Sequence, residues 1–156
     1  MFKLNTFLFF RLPSAFWSGV RVISLSDTSA QTKVKLNWFN TNPFGSIFWA
    51  VQGMAAELST GILIMKEIRR SGKSISMLVV QNKASFSKKA KGKILFSCQA
   101  KDLIKNAVEE TIATKEGVTF WLHSTGVDSC NDLVSSFEFE WSIKLKSLKN
   151  FNESLG

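Results

Sequence analysis

The sequence predicts an α+β domain in which a curved antiparallel sheet wraps around one long central helix. Three observations carry this. The run from about Gly45 to Ile68 is apolar on nearly every face, so it must be enclosed rather than laid on a surface. Several short segments alternate with period two and keep their apolar side chains on one face, the mark of antiparallel strands with one covered side. The chain has 156 residues, 45% hydrophobic and 21% charged, which fits one core. Gly and Pro are sparse, and neither a repeat nor a solvated linker interrupts the chain. One domain over 1–156 is expected, with an N-terminal helix over about 1–18 and a core over about 19–147.

The elements follow in order. The start, MFKLNTFLFFRLP, reads as an amphipathic helix packed on the domain. Arg11 and Pro13 interrupt its apolar run and no small-residue cleavage site follows, so a packed helix is expected here rather than a leader. Val20–Ser26 is a first strand, and Asp27, Thr28 and Ser29 supply turn chemistry. Lys33–Trp38 alternates, with Val34, Leu36 and Trp38 on one face. Asn40 to Pro43 end that pairing. The apolar helix then runs to Ile68 and closes with Arg69, Arg70 and Gly72, a basic last turn and a terminating glycine. Ser74–Ser87 is a strand rich in Leu78, Val79 and Val80. In Lys93–Gln99, Ile94, Phe96 and Cys98 point inward. Lys101–Thr114 has helical composition. Gly117–Ser124 turns Val118, Phe120 and Leu122 against Thr119, Trp121 and His123. The clearest strand is the last: Phe137, Phe139, Trp141, Ile143 and Leu145 on one face, Glu138, Glu140, Lys144 and Lys146 on the other.

Between Leu36 and Met65 the only charged side chain is Glu57. A buried carboxylate without a partner costs several kcal/mol, so a chain that keeps one there pairs it or uses it. Spacings of three and four put Ser46, Ala50, Gly53, Glu57, Thr60 and Ile64 on one stripe, which leaves room beside Glu57 for a ligand or a close-packed partner. The first turn of the helix, entered through Asn42 and Gly45, leaves backbone N–H groups that can polarise a carbonyl. Twelve residues at 1.5 Å each place Gly45 roughly 18 Å from Glu57. One helix cannot bring both to one small substrate. Two antiparallel copies can, so a homodimer or tetramer with composite sites is expected.

A formal net charge of +8 favours anionic partners. Lys83, Lys88, Lys89, Lys91 and Lys93 crowd one turn and read either as contacts for a phosphorylated partner or as a solvated turn guarding a strand edge. Aromatics do not interleave with these lysines, so nucleic acid is not an expected partner. Residues 44–65 are long enough to span a bilayer, but Glu57 and Gln52 near the centre argue against that, and no membrane partner is expected. Cys98 and Cys130 read as reduced thiols of a cytoplasmic protein. With His123 the only histidine, no metal site is expected, and no cofactor.

The pattern Asn42-x-x-Gly45, followed by a carboxylate at Glu57, resembles the signature of hotdog-fold acyl-CoA thioesterases of the phenylacetyl-CoA thioesterase type. That signature is N-x-x-G-x-x-H-G-G, with an Asp or Glu twelve positions after the first glycine. Pro13–Asp27 and Asn42–Gly61 look most like an uncharacterised thioesterase-like branch that carries only a domain-of-unknown-function label. The resemblance covers Pro13 to Lys146 and implies a hotdog fold, with the long helix as the sausage. It further implies hydrolysis of an acyl-CoA or acyl-carrier thioester. Glu57 would be general base or nucleophile. Backbone amides around Gly45–Phe48 of the other subunit would polarise the carbonyl. Phe48, Trp49 and Met54 would line an acyl pocket, Asn42 and Gln52 would contact substrate, and Lys88, Lys89 and Lys91 would meet the carrier's phosphates. Where the family has H-G-G this chain has Phe48-Trp49-Ala50. That departure keeps open the alternative of a non-catalytic acyl-thioester or lipid-binding hotdog.

Overall fold

Proline chemistry shapes the first element. The N-terminal helix is two pieces, α1 (Phe2–Arg11) and α2 (Pro13–Trp17), rather than one. Leu12 between them has φ −136°, because the residue before a proline is pushed out of the helical region. The structure, a computed structural model, describes residues 1–100 and 102–146. The expected helical residue Lys101, and the expected domain's last ten residues, 147–156, lie outside these.

Next come β1 (Arg21–Leu25) and β2 (Ser29–Lys35), joined by a turn in which Ser26 Oγ accepts from the Thr28 and Ser29 N–H groups. The remaining elements are α3 (Trp49–Ser71), β3 (Ile75–Phe86), β4 (Lys93–Gln99), α4 (Asp102–Thr114), β5 (Val118–Val127) and β6 (Leu133–Leu145). The strands form one antiparallel sheet in the order β1-β2-β4-β5-β6-β3. Helix α3 packs against β1, β2, β4, β5 and β6, which is the hotdog arrangement. The core lies between them. Phe137, Phe139, Trp141 and Ile143 are buried on the inner face of β6, with Ile94, Phe96 and Cys98 beside them on β4, as their alternation requires.

Four buried hydrogen bonds peg α3 to the sheet. Thr32 Oγ1 donates to the Ala55 carbonyl at 2.7 Å, and Ser59 and Ser124 share a hydroxyl bond of 2.8 Å. Ser135 Oγ donates to Gln52 Oε1 at 2.9 Å, and Trp141 Nε1 donates to Thr60 Oγ1 at 3.1 Å.

Three expectations need correction. Strand β2 stops at Lys35, and Trp38 is 90% exposed instead of facing the core. The reason is local: Asn37 Oδ1 accepts from the Phe39 and Asn40 N–H groups while Asn40 Oδ1 accepts from Asn37, so two asparagines bend the chain out of the sheet. The long helix begins at Trp49, not Gly45, and ends at Ser71 with Gly72 in the left-handed region. Nor is it enclosed all round. Thr60 and Ile64 are fully buried, whereas Glu57 is exposed along its side, so the proposed small-residue stripe divides.

Candidate active site

The turn before α3 uses up its own polar groups. Asn42 Oδ1 accepts from the Phe44 N–H, the Ser46 N–H and the Ser46 hydroxyl. Gly45 sits at φ +69°, a conformation that favours glycine, and its N–H donates to the Asn42 carbonyl at 3.0 Å. Ile47 N–H donates to Ala90 and Phe48 N–H to Asn40. Every amide from Gly45 to Phe48 is therefore spent inside the protomer, contrary to the expectation that these would polarise a substrate carbonyl. The donors left over belong to Trp49 and Ala50, the first two residues of α3, whose N–H groups have no partner among the described residues. Gln52 is committed too: it is buried, its Nε2 donates to the Ile47 carbonyl at 3.1 Å and its Oε1 accepts from Ser135.

A shallow cavity of about 270 Å³ sits beside this turn. It gathers Asn42, Trp49, Gln52, Lys88 and Lys89, five of the residues expected to meet substrate. Lys88 is bound to Asp128 at 2.6 Å and Asp132 at 2.7 Å, and this pairing raises its pKa. That charge is thus engaged rather than free for a phosphate. Lys89 reaches over the Phe44 ring at 6.0 Å, and Lys91 is exposed. Phe48 and Trp49 pack edge to face at 6.0 Å and both remain exposed.

Glu57 lies elsewhere. It opens into a cavity of about 310 Å³ whose other walls are apolar except for Ser14. Met54, Leu58 and Gly61 come from α3, Met77 from β3 and Trp141 from β6, while Leu12 and Ala15 roof it from the N-terminal segment. The Glu57 carboxylate has no hydrogen-bond or ion-pair partner among the described residues, and desolvation by these neighbours raises its pKa. Thr60 fixes the local geometry: it donates to the Glu57 carbonyl at 2.8 Å and accepts from Trp141. Met54 is thus found with Glu57, and the expected site residues fall into two groups. The contributions of Leu12, Ser14 and Ala15 were not anticipated, and no local pattern signals them. Trp141 was foreshadowed by alternation, since it points to the covered face of β6.

Other chemistry is sparse. Burial pushes the Cys98 thiol up to about 12, which leaves it inert, and His123 is exposed on β5. No cluster of three metal-ligating side chains occurs among the described residues, and no helix there is long and apolar enough to cross a membrane.

Compared with known proteins, residues 4–143 match a family described as a domain of unknown function, DUF4442. No curated protein matches the chain. A Pseudomonas aeruginosa protein described as of unknown function and a probable thioesterase superposes with TM-score 0.79 at 18% identity, covering 94% of this chain and 97% of that one. A Chlorobaculum tepidum protein of unknown function gives TM-score 0.80 at 15% identity over 92% and 93% of the two chains. A Haemophilus influenzae thioesterase gives 0.70 at 12%, over 91% and 88%. At these identities the likeness is one of fold.

Proposed function

The chain belongs to the DUF4442 family and has the hotdog fold, and on that footing we propose that it is an acyl thioesterase acting on an acyl-CoA or acyl-carrier thioester. The observation that carries this reading is Glu57: a carboxylate without a partner among the described residues, with its pKa raised, at the wall of an apolar cavity of about 310 Å³. Such a group is suited to take a proton. Glu57 removes a proton from water, the water oxygen attacks the thioester carbonyl, and the negative charge passes to the carbonyl oxygen. Collapse breaks the C–S bond, and the departing sulfur takes the proton back from Glu57, which restores the carboxylate. The acyl chain lies against Met54, Met77 and Trp141.

The oxyanion donors in this proposal are the Trp49 and Ala50 N–H groups of a second copy. Within one helix, Trp49 and Glu57 are eight residues apart, roughly 12 Å along the axis at 1.5 Å per residue. A homodimer removes that gap. Strand β3 supports one: it lies at an edge of the sheet and exposes Leu78, Val80 and Phe86 along its 12 residues. Two unpaired cysteines, Cys98 and Cys130, fit a reducing, cytoplasmic setting. Light scattering should return twice the mass of one chain; a clean monomer at tens of micromolar removes the composite site.

A second reading, non-catalytic binding of an acyl thioester or lipid, is favoured by the spent amides of Gly45–Phe48 and by Phe48-Trp49-Ala50 where related signatures carry H-G-G. Hydrolysis of short, long and aromatic acyl-CoAs, with Glu57→Ala as control, decides. Turnover lost in the variant supports catalysis. Binding without turnover in the parent supports the second reading.

A further inference from the structure

A third cavity, of about 360 Å³, lies between α1 and the C-terminal half of α3. Its size falls within the range of small-molecule sites. Phe7, Leu25, Ile62 and Met65 make its apolar surface, and Lys3, Lys66 and Arg69 stand around it. Lys66 is already held by Asp27 at 2.6 Å and by the Ser26 carbonyl at 2.9 Å. The Lys3 and Arg69 side chains have no ion pair among the described residues. The first 26 residues carry Lys3, Arg11 and Arg21 and no acidic side chain, so nothing on α1 or β1 offsets this charge.

The lining constrains the ligand. Apart from the three cations, every side chain in it is apolar. A sugar, a base or a pantetheine arm would leave its own polar groups unpaired there. A hydrocarbon chain would not, and the cations call for a negative head. We propose that this groove is a binding site for a long-chain carboxylate. Its head lies at Lys3 and Arg69, and its chain runs over Phe7 and Leu25 toward Ile62 and Met65. Those last two residues also wall the cavity of Glu57, so the tail points at the candidate active site. The site stands on this geometry whether or not Glu57 hydrolyses anything.

The test uses the full-length protein with Glu57→Gln, which separates binding from turnover, and calorimetric titration below the micellar range. Affinity should rise from octanoate to decanoate to dodecanoate by about tenfold per two methylenes, as apolar burial dictates. Dodecanol and dodecyltrimethylammonium should bind at least about tenfold more weakly than dodecanoate, the effect of one charge-assisted contact. Adding Lys3→Ala and Arg69→Ala should erase the advantage of dodecanoate over dodecanol. Both side chains are exposed, so an unchanged melting temperature should accompany the loss. Equal affinity for dodecanoate and dodecanol, or undiminished dodecanoate binding in that variant, overturns the proposal.

Discussion

The start of α3 and the stretch around Glu57 treat their polar groups in opposite ways. At the start of α3, Asn42, Ser46 and Gln52 satisfy one another, the turn and the sheet, and only two backbone N–H groups are left over. Two turns on, the Glu57 carboxylate has no partner among the described residues, and the walls of its cavity are apolar except for Ser14. A fully bonded network is rigid and costly to disturb, whereas a carboxylate set against apolar walls with no protein partner is open to a proton or a ligand. Under the proposed function, the contrast separates residues that build the site from the one that would act in it. Substitutions at the first end should change stability, and substitution at Glu57 should change chemistry.

The largest effect is expected at Glu57. Glu57→Gln keeps the shape and cannot accept the proton, so turnover should fall by about 10²–10⁴-fold. Stability should move the other way. The folded state holds the Glu57 proton more tightly than the unfolded state does, so ionising it costs stability. That cost is absent below the ordinary glutamate range, near about 4.3, and grows as pH rises through the elevated folded value. Glu57→Gln should therefore melt above the parent at neutral pH, with the gap closing on acidification. A variant that melts lower at pH 7 and retains turnover would make Glu57 a structural partner and dissolve the contrast.

Next in size is Gln52→Ala, which strands the Ser135 hydroxyl and the Ile47 carbonyl in the interior. A loss of about 1–3 kcal/mol is expected, read as about 2–4 °C of melting temperature per kcal/mol. Gly45→Ala should follow, at about 1–2 kcal/mol, because its φ of +69° is strained for any side chain although nothing lies within 4 Å of the new methyl. For both variants kcat/KM per folded molecule should hold; a hundredfold fall would move the chemistry to this end. The smallest effect belongs to the lysines. Lys89→Ala and Lys91→Ala should weaken coenzyme A binding by a few-fold, and more so at low salt. Lys88→Ala should instead loosen the Asp128–Asp132 turn and leave coenzyme A affinity unchanged.

What could be read from the sequence follows the range of the interaction. Phe137 to Leu145 and Ile94 to Cys98 declared their inner faces because strand alternation is local and burial on one side enforces register. Trp38 misled because the same alternation ran past Lys35 into a turn, where Asn37 and Asn40 bonds outweigh the burial of one indole. The helix start was misplaced because Ile47 bridges to Thr41, and the Ile47 and Phe48 N–H groups donate to Ala90 and Asn40, which holds this stretch out of the helix. Glu57 stood out as an isolated charge, but its walls come from α2, β3 and β6, whose approach no spacing encodes. The partners of Lys88 lie some forty residues further along, so nothing near Lys88 showed that its charge was taken.

The four pegs between α3 and the sheet have a consequence for ligand size. Greasy surfaces alone would let a helix shift along its axis by a turn of about 5.4 Å, trading one set of contacts for another. Here such a ratchet would break the bonds of Thr32, Ser124, Ser135 and Trp141 together and leave each group dry and unmatched. The helix therefore acts as a fixed rail. The opposite wall is fastened more lightly: the side chain of Asn5 ties α1 to Val22 through two bonds, of 3.1 and 3.0 Å, and Leu8 is the one α1 side chain sunk in the core. For the proposed ligands, a longer or bulkier chain would then be accommodated by α1 swinging outward about Leu12–Pro13, while α3 keeps its place.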